Sequence, residues 1–347
     1  MNSRSSRNDV YKKFPKVELH RHLEGSLRLS TLKDIARQFT DDGLPSLKDI
    51  SALVQVQEGD DLSDTNFLSK FLTLRYFYLS PDIIRRISYE AVADAAEDGC
   101  VYMELRFTPT TLARIRDFSL GEVMDWVIAG IQKADKEYGT KTRLIVSMNR
   151  HDSVELAENI VELCVDRISK GIVALDLAGN EAEFPVAPFS GILRDAKANG
   201  LSITIHAGEW GGSENVRRAL EDMETPRIGH GVRILEDPAV VGLARERGAV
   251  FEVCPTSNYQ SGVVSTLDSH PLVEMVEEGL NATINTDNPG IQRVTLSDEY
   301  RLSCETLGMS KTMLSERVIA AAEGSFLPPS ERQQLLQSLH QKLAEVA

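Results

Sequence analysis

The chain has 347 residues, of which 42% are hydrophobic and 26% are charged, and its formal net charge is -14 at pH 7. Such a composition is ordinary for a globular protein, and the negative balance argues against nucleic acid as a partner because a negative surface repels phosphates. The sequence shows neither the apolar stretch of a signal peptide nor a run of transmembrane length, so we expect a cytoplasmic protein without a membrane partner.

Short apolar runs alternate with amphipathic segments along the whole chain. Each of the following runs is predicted to be a β-strand: Lys16–His20, Cys100–Phe107, Thr142–Met148, Gly171–Gly179, Leu201–Gly208, Pro226–Gly231, Ala249–Pro255 and Asn281–Asp287. Several are rich in Val and Ile and nearly continuous in apolarity, as expected for parallel strands that are buried on both faces. Between them, segments such as Gly121–Gly139 and Gly211–Met223 have the apolar spacing of amphipathic helices.

Repeated alternation of strand and helix predicts an α/β fold with a parallel sheet. Eight strands in a chain of this length favour a (β/α)8 TIM-type barrel. A doubly wound sheet is the alternative, but it usually carries a glycine-rich phosphate loop after its first strand, and this sequence has none. We expect one domain over residues 1–347, with a flexible segment at residues 1–13 and extra helices at the C-terminus.

A long insertion, residues 23–99, follows the first predicted strand. Its segment Asp61–Leu79 has apolar residues at helical spacing, which predicts helices over the mouth of the barrel. A lid that excludes water from the site is one interpretation of these helices. Helical packing without a gating role is an equal alternative.

Polar residues gather at the C-terminal ends of the predicted strands, where barrels of this type place their chemistry. They are His20 and His22 on strand one, Asp176 on strand four, His206 and Glu209 on strand five, His230 on strand six, and Asp287 and Asn288 on strand eight. His151 follows strand three and is a candidate for the rim. His270 and His340 lack this setting, so we interpret them as a structural and a surface residue.

The HxH spacing of the first strand suggests a metal site. Side chains at i and i+2 of a strand point to the same face, so His20 and His22 both enter the barrel. Two imidazoles make half of a site, and His206 and Asp287 from other strands complete three nitrogens and one carboxylate. Zinc suits that donor set, with one position left for water, while iron and manganese are chemical alternatives.

The segments that carry these residues resemble the adenosine deaminase family of the amidohydrolase superfamily. In order they are PKVELHRHLEGSL, ALDLAGNE, ITIHAGEW, RIGHGVRI, FEVCPTSN and INTDNPG, and the resemblance runs from about Phe14 to near the C-terminus. HxH alone is a weak signal, whereas HxH followed by HAGE, GHG and TDxP in this order is specific. The resemblance implies hydrolytic deamination of adenosine and 2′-deoxyadenosine to inosine and 2′-deoxyinosine, with release of ammonia.

The resemblance also implies how the site is built. It assigns one zinc ion per chain to four ligands, namely His20, His22, His206 and Asp287. Glu209 would handle the proton at purine N1, and His230 would orient the attacking water and stabilise its charge. We expect Asp176 to orient its neighbours from behind the site.

The same resemblance implies a pocket for a small purine nucleoside. Gly179 would offer its backbone amide to purine N3, Glu24 would lie near the ribose 5′-hydroxyl, and His22 would also face the substrate. The family usually has a second aspartate after the ligand Asp287, which donates to purine N7 while protonated. This sequence has Asn288 there, and its carboxamide is still a donor.

The asparagine at position 288 leaves the exact substrate open. The alternatives are another adenine compound, such as adenine, 6-aminodeoxyfutalosine or N6-methyl-AMP. A lactone or amide hydrolase with two metals bridged by a lysine is a further class, but no predicted strand end presents that lysine. A protein without catalysis is a third class, and the presence of all four ligand residues argues against it. The sequence does not determine the oligomeric state.

Overall fold

An eight-stranded parallel sheet, with its strands in the order β1 to β8, forms the centre of the computed structural model, which describes residues 10–39, 44 and 50–346. The strands are β1 (Lys16–His22), β2 (Cys100–Phe107), β3 (Lys141–Asn149), β4 (Ile172–Ala178), β5 (Ser202–Ala207), β6 (Arg227–His230), β7 (Val250–Val253) and β8 (Asn281–Ile284). Every strand lies within a predicted run or overlaps it. The prediction of a (β/α)8 barrel is therefore confirmed.

The barrel closes where the loop after β8 meets β1. The backbone N–H of Asp287 donates to the carbonyl of His20, and the N–H of His22 donates to the carbonyl of Asp287, both at 2.8 Å. These two bonds flank Arg21, which forms an isolated parallel bridge with Asp287. The predicted eighth strand ran on to Asp287, but β8 ends at Ile284. The chain leaves the sheet there and brings the Asp287 backbone against the two histidines of β1.

Helices surround the barrel and connect its strands. In chain order they are α1 (Val10–Lys13), α2 (Leu29–Gln38), α3 (Ile50–Val54), α4 (Asp64–Leu74), α5 (Pro81–Glu97), α6 (Pro109–Ala113), α7 (Leu120–Tyr138), α8 (Val154–Val165), α9 (Ser190–Ala198), α10 (Ser213–Glu221), α11 (Pro238–Arg247), α12 (Pro255–Gln260), α13 (Leu272–Glu277), α14 (Pro289–Gln292), α15 (Leu296–Glu305), α16 (Lys311–Glu323) and α17 (Pro329–Val346). The two predicted helices correspond to α7 and α10. Ser119 caps the start of α7 by accepting from the N–H of Glu122, and Gly139 ends it in the left-handed conformation.

The insertion after β1 contains α2 to α5. Four apolar residues of α4 line the cavity at the mouth of the barrel, namely Phe67, Leu68, Phe71 and Leu72. The prediction of helices over the mouth is therefore confirmed. Closure of these helices over a substrate stays a prediction.

The strands are buried on both faces, but the face inside the barrel carries charges. Glu104, Arg106, Arg227 and Glu252 are each at most 1% exposed. Arg227 forms ion pairs with Glu104 and with Glu252, the latter at 2.6 Å. The expectation of nearly apolar strands is thus incomplete, because opposite charges on neighbouring strands compensate each other in the interior.

The described part of the chain begins and ends in helices outside the sheet. Residues 1–9 of the expected flexible segment lie outside the described residues, whereas Val10–Lys13 form α1 with Tyr11 buried. The extra C-terminal helices are α15 to α17, and α16 packs against β8 and β1. Within the described ranges, none of the helices combines the length and apolarity that crossing a bilayer requires.

Candidate metal centre and active site

A cavity of about 590 Å³ opens at the C-terminal ends of the strands. Eight of the ten residues that the sequence singled out for the site line it: His22, Glu24, Gly179, His206, Glu209, His230, Asp287 and Asn288. The other two, His20 and Asp176, are fully buried beside it and contact residues of this set. The fold therefore brings all ten together at one end of the barrel.

Four donor side chains converge beside this cavity. The ligand atoms of His20, His22 and His206 all lie within 4.8 Å of one another. Asp287 Oδ1 is 3.5 Å from Nε2 of His20 and 3.4 Å from Nε2 of His22. Nε2 of His20 is buried and has no hydrogen-bond partner among the described residues. This unpartnered nitrogen and its neighbours fit a metal ion held by three imidazoles and one carboxylate.

Two buried carboxylates orient two of these imidazoles. Nδ1 of His20 is 2.8 Å from Glu252, and Nδ1 of His206 is 2.9 Å from Asp176. A carboxylate accepts the Nδ1 proton, so the Nε2 lone pair of each ring is free for a metal. Asp176 thus has the orienting contact that was expected from the sequence, whereas sequence analysis assigned no role to Glu252.

One arginine connects the two orienting carboxylates. Arg106 is fully buried, with Nη2 at 2.5 Å from Glu252 and Nη1 at 3.3 Å from Asp176. Burial alone would raise the pKa of Asp176, but His206 and the guanidinium of Arg106 hold it below its usual value. One feature of the sequence could have indicated a buried charge network here: Glu104 and Arg106 are charged residues at alternate positions of an otherwise apolar strand.

Glu209 is a buried acid at the wall of the cavity. It is 6% exposed, and its Oε1 lies 3.6 Å from Nε2 of His230. Burial raises the pKa of Glu209 well above its usual value, and the charges of Asp287 and Glu181 add to this effect. A carboxyl whose pKa is raised in this way keeps its proton to higher pH than an exposed one and can donate it.

The loop that carries Glu209 is held by a second buried acid. The carboxylate of Glu181 accepts backbone N–H groups from Gly208 at 2.8 Å, Glu209 at 2.6 Å and Gly211 at 2.9 Å. Three such bonds fix the turn after β5 and so the direction of the Glu209 side chain. Glu181 stands in the motif ALDLAGNE, but sequence analysis assigned it no role.

His230 and Asp287 have an unusual backbone conformation. Their φ angles are +60° and +71°, in the left-handed region that costs a non-glycine residue about 1–3 kcal/mol. Helix α12 holds both side chains: Ser257 donates to Asp287 Oδ2 at 2.5 Å, and Asn258 Nδ2 lies 3.2 Å from His230 Nδ1. The fold therefore maintains strained geometry where the candidate chemistry lies.

Two glycines shape the part of the cavity that would face a substrate. Gly179 has φ +96°, a conformation that favours glycine. A Cβ at Gly25 would lie 1.9 Å from Oδ1 of Asn288, so the Asn288 side chain fits only against a residue without a Cβ. Asn288 is 4% exposed and lines the cavity.

The remaining histidines have different surroundings. His151 lines the cavity with its side chain 49% exposed, as expected for the rim, and His340 is exposed on α17. His270 is 5% exposed, and its Nε2 lies 3.2 Å from Asn258, the residue that contacts His230. Sequence analysis interpreted His270 as a structural residue, and it did not foresee that His270 contacts His230 through Asn258.

Comparison with known proteins agrees with this geometry. The family model described as adenosine deaminase matches residues 15–342. An adenosine deaminase of Enterococcus faecalis is 33% identical and covers 95% of this chain and 97% of its own. The structure of the Arabidopsis N6-mAMP deaminase MAPDA is 28% identical, with a TM-score of 0.86 over 95% of this chain and 99% of that one. A Burkholderia ambifaria amidohydrolase with bound Zn shares the fold at a TM-score of 0.89, with 24% identity over 99% of this chain and 95% of that one.

Proposed function

Because the chain belongs to the adenosine deaminase family and is a hydrolytic deaminase, we propose that it converts adenosine and 2′-deoxyadenosine to inosine and 2′-deoxyinosine. Ammonia is the second product. The observation that carries the proposal is the convergence, at one cavity, of the four-donor cluster, the Glu209 carboxyl and the His230 imidazole. Each of these groups has a task in adding water to a purine ring.

Zinc is the metal that the donor set favours, with one ion per chain. His20, His22, His206 and Asp287 would hold it, since three imidazoles and a carboxylate are ligands of catalytic zinc. Bound zinc supplies the Lewis acidity that makes water nucleophilic near neutral pH. The carboxylates of Glu252 and Asp176 keep two of the rings in the tautomer that such a site needs.

Glu209 supplies a proton to the purine, and His230 supplies a hydrogen bond to the attacking oxygen. When Glu209 protonates purine N1, the ring can accept electrons as the water oxygen bonds to C6. His230 would form a hydrogen bond to that oxygen. The bond from C6 to the amino nitrogen then breaks. Of the two protons of the water, one leaves with the nitrogen as ammonia and the other restores the Glu209 carboxyl.

The cavity also offers contacts that place a nucleoside. The Gly179 amide would meet purine N3, the Asn288 carboxamide would donate to N7, and His22 would face the substrate beside the metal site. Glu24 accepts the backbone N–H of Thr108 through Oε1, while its Oε2 is buried without a hydrogen-bond partner among the described residues. A ribose 5′-hydroxyl can donate to that oxygen.

The charges of the cavity favour a neutral substrate. Apart from the proton donor Glu209 and the proposed metal ligand Asp287, the described residues that line it include three carboxyl groups and one guanidinium: Glu24, Asp64 and Glu183, against Arg75. Burial raises the pKa of Glu24 to about 7, so a 5′-phosphate beside it would meet a partly ionised carboxyl, and this repulsion is unfavourable. A 5′-hydroxyl carries no such cost.

One observation favours a second candidate, N6-methyl-AMP. Nε of Arg75 is buried without a hydrogen-bond partner among the described residues, and Arg75 lines the same cavity. A phosphate oxygen would satisfy that donor. The similarity to the Arabidopsis N6-mAMP deaminase is consistent with this alternative.

Two variants separate these substrates. Purified zinc-loaded protein should be assayed with adenosine, 2′-deoxyadenosine, adenine, 5′-AMP, N6-methyl-AMP and 6-aminodeoxyfutalosine. We expect the highest kcat/KM with the nucleosides, a loss of nucleoside kcat/KM in Glu24→Gln, and little change in Arg75→Met. A preference for a 5′-phosphate that Arg75→Met removes would overturn the nucleoside assignment in favour of the nucleotide.

A further inference from the structure

A chain of buried hydrogen bonds runs from the start of α13 to His230, and it begins at a backbone amide. The N–H of Leu272 donates to Nδ1 of His270 at 3.1 Å. A backbone N–H can only donate, so Nδ1 carries the lone pair and the His270 proton is on Nε2. Burial lowers the pKa of His270 to about 3, so the ring is neutral at physiological pH.

The proton on His270 fixes the orientation of the next residue. Nε2 of His270 lies 3.2 Å from Oδ1 of Asn258, and an N–H donor requires the oxygen of the carboxamide there. The carboxamide nitrogen therefore faces Nδ1 of His230, at 3.2 Å. Asn258, His230 and His270 are 0%, 1% and 5% exposed, so bulk water does not compete for these bonds.

The last bond decides which nitrogen of His230 carries the proton. Nδ1 accepts from Asn258, so the proton of the neutral ring is on Nε2, the nitrogen 3.6 Å from Glu209. His230 lies close enough to His20 and Asp287 to be considered a metal ligand. A protonated Nε2 has no lone pair, so this tautomer argues against ligation through that atom and agrees with the set that contains His206.

We propose that Asn258 and His270 are positioning residues that hold His230 as the Nε2–H tautomer, so that His230 donates a hydrogen bond to the attacking water. In this arrangement the ring stabilises negative charge on the oxygen as it bonds to C6 and does not remove a proton from the water. The tautomer follows from the contacts alone, whereas the role of the N–H rests on the proposed function.

The test uses an isosteric change that reverses one bond. In Asn258→Asp, one carboxylate oxygen still accepts from His270, but the other can only accept from His230, which requires a proton on Nδ1. Zinc-loaded protein with ¹⁵N-labelled histidine should be examined by long-range ¹H–¹⁵N correlation. We expect the His230 proton on Nε2 in the wild type and on Nδ1 in Asn258→Asp. We also expect kcat for adenosine to fall about 10²-fold in the variant, the usual effect of losing one transition-state donor, while KM and zinc content are retained.

Two variants of His270 test whether it acts through the hydrogen-bond chain to His230, here called the relay, or only through packing. His270→Gln keeps a donor for Asn258 and should preserve the His230 tautomer and kcat. His270→Leu lets the carboxamide rotate, so it should give a mixture of tautomers and a kcat lower by roughly 10–100-fold, as for other orienting partners. Loss of activity in both variants with the wild-type tautomer retained would show a packing role and refute the relay.

Two further outcomes overturn the proposal in different ways. A wild-type spectrum with the His230 proton on Nδ1 would refute the tautomer. A proton that moves in Asn258→Asp without a change in kcat would refute the donor role of Nε2. Absence of inosine formation by the wild type would instead refute the proposed function, and the spectrum would still decide the tautomer.

Discussion

Replacing Arg106 with methionine tests whether one buried guanidinium supports the whole metal site. Arg106 contacts Glu252 at 2.5 Å and Asp176 at 3.3 Å, and these two carboxylates hold Nδ1 of His20 and of His206. Methionine keeps much of the side-chain volume but removes the charge. Glu252 and Asp176 then lose the cation that they share. As a result, neither carboxylate is held as firmly against its imidazole.

The structure sets the expected magnitude. Removing one member of a buried ion pair costs about 3–5 kcal/mol, a large part of the roughly 5–15 kcal/mol by which domains are stable. At roughly 2 °C per kcal/mol for a large domain, Tm should fall by about 6–10 °C. Disturbing the partners of metal-binding imidazoles should also weaken zinc affinity by about 10–100-fold.

Thermal unfolding and competition with a zinc chelator measure the two effects. The matched control is Arg143→Met, because Arg143 pairs with Glu331 at 2.7 Å with both side chains partly exposed, at 23% and 32%. Such a pair is worth about 0–1 kcal/mol, and its loss should leave zinc affinity unchanged. Arg106→Lys keeps the charge and should give an intermediate result. If Arg106→Met kept the wild-type zinc affinity and was as stable as Arg143→Met, the reasoning would be refuted.

Four further substitutions test three single residues. His206→Ala should lose most of its zinc and nearly all activity, and metal analysis that finds full zinc would exclude His206 as a ligand. Glu209→Gln should keep zinc and bind nucleoside but lose kcat by at least about 10²-fold, so a near-normal kcat would remove Glu209 from the chemistry. Asn288→Asp should stay active on adenosine but lose activity more steeply than the wild type as pH rises, because a carboxyl donates to purine N7 only while it is protonated. Asn288→Leu leaves purine N7 unpaired, at a cost of about 1–3 kcal/mol. The contact would be excluded if the wild type acted equally on adenosine and its 7-deaza analogue and if Asn288→Leu changed neither kcat nor KM.

The barrel and its donor cluster could be predicted because the relevant signals are local. Five of the eight predicted strands have candidate polar residues at or just after their C-terminal ends, and parallel strands of a barrel bring those ends to one face. The i, i+2 spacing of His20 and His22 then places both rings inside. The predicted position of Asp287 at the end of the eighth strand is not what the structure shows. Asp287 lies three residues beyond β8 in the left-handed conformation, and the pattern of apolar residues does not indicate such backbone strain.

The groups that support the site could not be predicted, because their partners are distant in sequence. Arg106 and Glu252 are 146 residues apart, and each lies in an otherwise largely apolar strand. Their roles depend on register and strand order, which sequence periodicity does not determine. His270 looked structural for a similar reason: its partner Asn258 lies on α12, whose packing against His230 only the fold reveals.

Restoring zinc to metal-free protein, with inosine formation from adenosine as the readout, tests the central claim most directly. The four-donor site predicts that the rate of inosine formation per chain rises in proportion to added zinc and levels off at one equivalent per chain. Adenosine turnover that is complete without metal would contradict the metal site. Absence of inosine at one equivalent of bound zinc would contradict the proposed reaction.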